Sequence, residues 1–182
     1  MGIGDTVMFL PFIKSISTKF NSPVSLLVKE SSRADQFLEH TKYIDKIIHL
    51  KRNNQNNDRH DGIKGFFNLI NDIKNYKFEK VFIFNSSLRF NLIARLAGIK
   101  NIYQYPLFQK KNQHITGPAK NLIKQSLNLD VNENPEIQIN EKLIQQSFLN
   151  YNMSNDQFNI LLGIGGSGST KRIPPKIFLS VI

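Results

Sequence analysis

Short apolar runs alternate with helically periodic stretches from the first residues to about position 105, and this alternation restricts the fold more than any other feature of the chain. Val7, Leu10, Ile13, Ile16 and Phe20 recur at helical spacing, and Asp5 or Thr6 stands where a helix cap is expected. Pro23 then opens the β-rich run Val24 to Val28, the segment Ser32 to His40 returns to helix, and Ile47 to Leu50 reads as a second strand. After a polar loop from Lys51 to Asp61, Phe66, Phe67, Ile70 and Ile73 mark another helix. Val81 to Phe84 is a continuous apolar run of the kind buried on both faces. Leu88 to Ala97, stopped by Gly98, is helical, and Ile102 to Tyr105, stopped by Pro106, is a strand. Strands and helices in such alternation predict parallel strands joined by right-handed crossovers, an open α/β sheet.

Further on, the pattern predicts a helix from about Pro118 to Leu127, a polar stretch from Asn128 to Pro135, a helix from Glu141 to Asn150 and a new buried strand from Phe158 to Leu162. That strand leads into the glycine-rich segment Gly163 to Lys171. The expected division is therefore an open α/β domain over 1–154 and the start of a second domain over 155–182. An open α/β domain normally places a strand before its first helix. Here the sequence opens on the turn, and the second unit reaches only its first helix before Ile182. Both ends read as those of a fragment.

The 182 residues leave room for one domain and part of another. With 40% hydrophobic and 21% charged residues the chain has the composition of a protein that folds in water. It contains no cysteine, which excludes disulfides and thiolate chemistry, and its four histidines are scattered without metal-ligand spacing, so no metal is expected. No basic leader or run of roughly 20 apolar residues occurs, which makes the cytoplasm the expected location. The formal net charge of +10 suits anionic partners, but the cations are dispersed and accompany no nucleic-acid motif, so nucleic acid is not expected as a partner. Heavy use of Lys, Asn and Ile throughout accounts for much of the excess.

Two motifs can carry chemistry. In Gly2-Ile3-Gly4-Asp5-Thr6, glycines at a strand-to-helix turn let the backbone approach a ligand, and Asp5 stands at a helix N-terminus either as a cap or as a catalytic base. In the second, Gly163, Gly165 and Gly168 satisfy a literal G-x-G-x-x-G after a strand. Too few residues follow for the ribose-binding acid of a dinucleotide fold, and Ser169 stands where a Walker lysine would be. The remaining readings are a loop whose amides, hydroxyls and Lys171 hold a diphosphate, or a flexible connector.

Together these segments resemble glycosyltransferase family nine, the ADP-heptose:lipopolysaccharide heptosyltransferases. The resemblance lies in Gly2 to Val7 with Pro11, Phe12 and Ile13, in Asn85 to Arg89 with Ala94 to Gly98, and in Ser167 to Lys171 followed by Arg172 to Pro175. It implies the N-terminal part of a GT-B fold with its cleft between two Rossmann-like domains. It also implies metal-independent, inverting transfer of heptose or a related sugar, with Asp5 as catalytic base and Ser167, Ser169, Thr170 and Lys171 around the donor diphosphate. Gly4, Thr6 and Arg89 fall on the acceptor side, Arg89 having the alternative of an exposed helix-start residue. The donor is a nucleotide-sugar, ADP-heptose by the resemblance, used as substrate and not as cofactor. The acceptor is the anionic lipopolysaccharide core or lipid A, reached at the cytoplasmic face of the inner membrane. Ile173 replaces the family's usual tryptophan, and its later Asp-x-Gly-x-x-His segment has no counterpart in this sequence, which leaves activity of the chain by itself unexpected. A nucleotide or dinucleotide-binding module without transferase activity is the competing expectation.

Overall fold

The structure is a computed structural model that describes residues 2–52, 58–106, 114–132, 134–154, 156–160 and 173–180. Its elements are α1 (Ile3–Phe20), β1 (Val24–Lys29), a 3-10 turn (Glu30–Ser32), α2 (Ala34–Leu38), β2 (Ile44–Leu50), α3 (Gly62–Asn75), β3 (Lys80–Ile83), α4 (Leu88–Leu96), β4 (Asn101–Gln104), α5 (Thr116–Leu127), α6 (Glu141–Asn150) and α7 (Pro175–Leu179). By contact the chain divides into Met1–Ile139 and Asn140–Ile182.

In the first unit β1 pairs parallel with β2, and β3 pairs parallel with β4. Each pair is joined through a helix, as parallel strands require. The architecture is Rossmann-like α/β. One helical layer is built on α1 and α5, and its core gathers Phe9, Leu10, Phe12, Ile13 and Ile16 with Leu26, Leu122 and Ile123. The sequence periodicity caught one stripe of α1. The helix buries a wider face, because Phe9 and Phe12 also turn inward against Phe84 at ring distances of 5.3 and 6.3 Å. The second layer, α3 and α4, closes over Leu69, Ile70, Ile73, Ile83, Ile93 and Ala94. Phe82 and Phe84 thus belong to one layer, and Val81 and Ile83 to the other, as the two-residue period of a strand demands.

Three expectations need correction. The helix expected over Ser32 to His40 is a 3-10 turn and a five-residue α2, because Arg33 between them takes the left-handed conformation, φ 48°. Val81 to Phe84 is only partly buried, Ile83 being the one member fully covered. Phe158 to Ile160 form no strand, and Phe158 and Ile160 are 91% and 64% exposed. An apolar run becomes a buried strand only beside another strand, and no described residue of the second unit offers one. Leu161 and Leu162 lie outside the described residues. So does the whole segment Gly163 to Arg172, including Ser167, Ser169, Thr170 and Lys171.

Candidate functional site

In an open α/β sheet, ligands meet the turns at the carboxyl ends of the strands. Three described segments lie at such positions or open a helix there: the start of α1, the β2–α3 loop and the β3–α4 turn.

The start of α1 is built from Gly2 to Thr6. The Gly2 N–H donates to Asp5 Oδ2 at 3.0 Å, so Asp5 reaches back to its own N-cap residue. Thr6 is buried, and both its N–H and its hydroxyl donate to the Gly2 carbonyl, at 3.2 and 3.1 Å. Asp5 is therefore a cap residue at least, held by Oδ2 and partly exposed. Capping and base chemistry are compatible, since one carboxylate has several acceptor positions. The glycines have no structural requirement of their own. Gly2 is extended (φ −95°, ψ −169°), Gly4 lies inside the helix, and a Cβ at either would meet no atom within 4 Å. Glycine at Gly4 costs roughly 0.5–1 kcal/mol against alanine, and what it preserves is open space beside the helix N-terminus.

The described part of the β2–α3 loop, 51–52 and 58–61, is locked. Its centre is His60, 3% exposed, whose Nδ1 accepts the Lys51 N–H at 3.0 Å and whose Nε2 faces Asp72 Oδ2 at 3.0 Å. With Nδ1 accepting, the proton belongs on Nε2 and is donated to Asp72. Arg59 grips the same carboxylate with Nε at 2.9 Å and Nη2 at 2.5 Å. These contacts, the Arg59 hydrogen bond foremost, bring the Asp72 carboxyl down to about 2. Gly65 admits the loop to within contact of α3: a Cβ there would stand 2.1 Å from the His60 carbonyl carbon.

Arg89 joins this loop to the β3–α4 turn. Its Nη2 donates to the carbonyls of His60 and Gly62 at 3.1 and 3.0 Å, and its guanidinium lies 5.4 Å from the centre of the Phe66 ring. It is half-buried and is the second residue of α4. Burial, then the neighbouring charge of Arg52, lowers its pKa, while Asp61 acts in the opposite sense. Arg52 Nε in turn stands 3.8 Å from Asp61 Oδ1. Two guanidinium groups are thus collected at one edge of the fold.

The β3–α4 turn is fastened from β4. The Asn85 side chain accepts the Ser87 N–H at 2.9 Å, and Gln104 Nε2 donates to the carbonyls of Asn85 and Ser87 at 3.1 and 3.0 Å. Asn91 Nδ2 donates to Gln104 Oε1 at 2.7 Å. His60, Asp72 and Gln104 were not singled out by the sequence, because their partners are 9 to 19 residues away and follow no motif. Among the described residues no group of three or more His, Asp or Glu could hold a metal ion, and no helix is long and apolar enough to cross a membrane.

No family model matches the chain, and no curated protein does. Among solved structures it is similar to the glycosyl transferase family 9 protein from Veillonella parvula DSM 2008, with a TM-score of 0.75 at 20% identity. The likeness covers 100% of this chain and 56% of that one. At that identity the match establishes a shared fold: this chain is built as a Rossmann-like α/β domain of the kind found in that glycosyl transferase structure.

Proposed function

We propose that the chain forms the acceptor-side part of an inverting glycosyltransferase of family nine. The observation that carries the reading is the Gly2–Thr6 turn, where two glycines beside Asp5 in the chain are required by neither conformation nor packing and a Cβ added at either would enter open space. It stands on a fold shared with a family nine structure. Asp5 takes the proton from the acceptor hydroxyl as the sugar carbon is attacked, which is the step an inverting transfer asks of a base. Gly4 and Thr6 shape the space beside it. Arg52 and Arg89 supply positive charge for an anionic acceptor, at an edge where Arg89 is already positioned by two carbonyls.

The donor is a nucleotide-sugar, with heptose as the transferred sugar, and the acceptor is the lipopolysaccharide core, met at the cytoplasmic face of the inner membrane. Ser167, Ser169, Thr170 and Lys171 hold the donor diphosphate, whose departing charge a lysine and loop amides stabilise. Nothing in this proposal calls for a metal or a cofactor. The chain spans 56% of the similar structure, and efficient transfer requires a complete donor-binding half besides these residues. The test is sugar transfer from ADP-heptose to lipid A core by the 182-residue chain and by a version joined to such a half. Transfer by the joined protein alone is expected. No transfer by either would remove the reading in favour of a nucleotide-binding module.

A further inference from the structure

The outer faces of α3 and α4 carry large apolar side chains that the fold leaves in solvent. On α3, Ile63 and Phe67 are 81% and 57% exposed, and on α4 Leu88, Leu92 and Leu96 are 59%, 49% and 57% exposed. Spaced four residues apart, they form one stripe on each helix. The stripes adjoin. Arg89 in the first turn of α4 donates to the Gly62 carbonyl and lies over the Phe66 ring, so the two helices begin side by side. Around α3, Ile63 and Phe67 stand about 60–100° from Phe66, and around α4, Leu92 and Leu88 stand about 60–100° from Arg89. In both helices the stripe is turned away from the buried residues, Leu69 and Ile73 in one and Ile93 and Ala94 in the other.

Single exposed apolar residues are ordinary, but five on two packed helices make a patch of the kind that marks an interaction surface. Its rim is cationic. Lys64, Lys74 and Arg95 are exposed, and Asp72 is the one acidic residue on either helix. That carboxylate is already gripped by Arg59 and faces His60. The patch therefore combines apolar side chains with an excess of positive charge. A second copy of the chain is a poor occupant, since each copy has a net charge of +10 and would present the same cationic rim. A surface that is anionic outside and apolar within matches both halves of the patch.

We propose that this face of α3 and α4 rests on the surface of a bilayer that contains anionic phospholipid. Ile63, Phe67, Leu88 and Leu92 enter the boundary between headgroups and acyl chains, and Lys64, Lys74 and Arg95 lie among the phosphates. Their long stems let the cations reach phosphate while the apolar side chains point between the lipid chains. The helices lie on the membrane and do not cross it, since α3 has 14 residues and α4 has 9. The first turns of both stand at the edge that carries Arg52 and Arg89, so docking holds that edge close to the bilayer. The inference goes beyond the transferase reading and rests on the two helix faces alone, so vesicle binding and sugar transfer succeed or fail separately.

The chain has no tryptophan, so Phe67→Trp supplies a single emission probe on the patch. Gln125→Trp supplies one on the exposed side of α5, in the opposite layer. Both versions of the 182-residue chain are titrated with vesicles of phosphatidylcholine, with and without phosphatidylglycerol. With the anionic vesicles, emission from the Phe67→Trp version is expected to shift to the blue and to be quenched by brominated acyl chains, while that of the Gln125→Trp version does neither. In sedimentation with the same vesicles, Phe67→Ser/Leu92→Ser keeps the net charge and should weaken binding at least about tenfold. Lys64→Gln/Arg95→Gln should weaken it by about tenfold. Each pair replaces exposed side chains, so Tm should stay within about 2 °C of the parent. Absence of vesicle binding, equal quenching of the two probes, or unchanged binding by Phe67→Ser/Leu92→Ser, which would leave only the general attraction of a cationic chain, would each overturn the proposal. So would a dimer without vesicles that buries the probe at position 67.

Discussion

The start of α1 and the loop around His60 differ in how much of their conformation the protein itself dictates. At His60 every described polar group of the side chain has a partner, Gly65 gives the loop its place against α3, and Arg89 ties the loop carbonyls to α4. At Gly2 to Thr6 the side-chain hydrogen bonds are local, and the two glycines face open space. Glycine in a turn that needs it for neither conformation nor packing is what supports the proposed role of that turn at the acceptor. A loop fastened from three elements is shaped to hold a scaffold.

Substitutions sharpen that contrast. The largest loss of stability is expected for Gly65→Ala, since its Cβ would overlap backbone that cannot swing away, and about 3 kcal/mol should disappear from the unfolding free energy measured in urea. Arg89→Ala should cost about 2 kcal/mol in the same measurement, because it strands two carbonyls that accept from a charged donor. Acid should act on the scaffold next. The Asp72 carboxyl is lowered from 3.8 to about 2, so its contribution is present above about pH 4 and is lost as pH falls through about 2. With the carboxyl partly exposed, that contribution is on the order of 1–2 kcal/mol, and Asp72→Asn should flatten the stability profile in this window. At the other region the sign reverses. Gly4→Ala should stabilise the chain by about 0.5–1 kcal/mol, read as a small rise in Tm, while impairing transfer in the joined enzyme by filling the space beside Asp5. A destabilising Gly4→Ala would break the contrast, since it would mean that the turn needs glycine for its own fold.

The sequence made the parallel α/β order readable because helical and strand periods alternate cleanly through Gln104, and the elements fall within a few residues of their expected bounds. It could not reveal which apolar runs find a neighbour. Phe158 to Leu162 and Val81 to Phe84 both read as strands in the sequence, yet among the described residues only Val81 to Ile83 lies beside a strand, β4. The Asp5 turn was legible because glycine and aspartate at a helix start form a local pattern. The Arg89 anchor, the His60–Asp72 pair and the Gln104 clasp were not, since each is a contact between distant segments that no spacing rule encodes. Ser167 to Lys171 lie outside the described residues, and their place at the donor rests on the resemblance.

The central claim is that Asp5 is more than a cap, and turnover measured together with stability tests it most directly. In the chain joined to a donor-binding half, Asp5→Asn should lower kcat by about 10²–10⁴-fold, while donor affinity and Tm change little, because a positioned base is removed and an isosteric hydrogen-bond acceptor remains. A kcat within about threefold of the parent would contradict the claim and leave Asp5 as a helix cap.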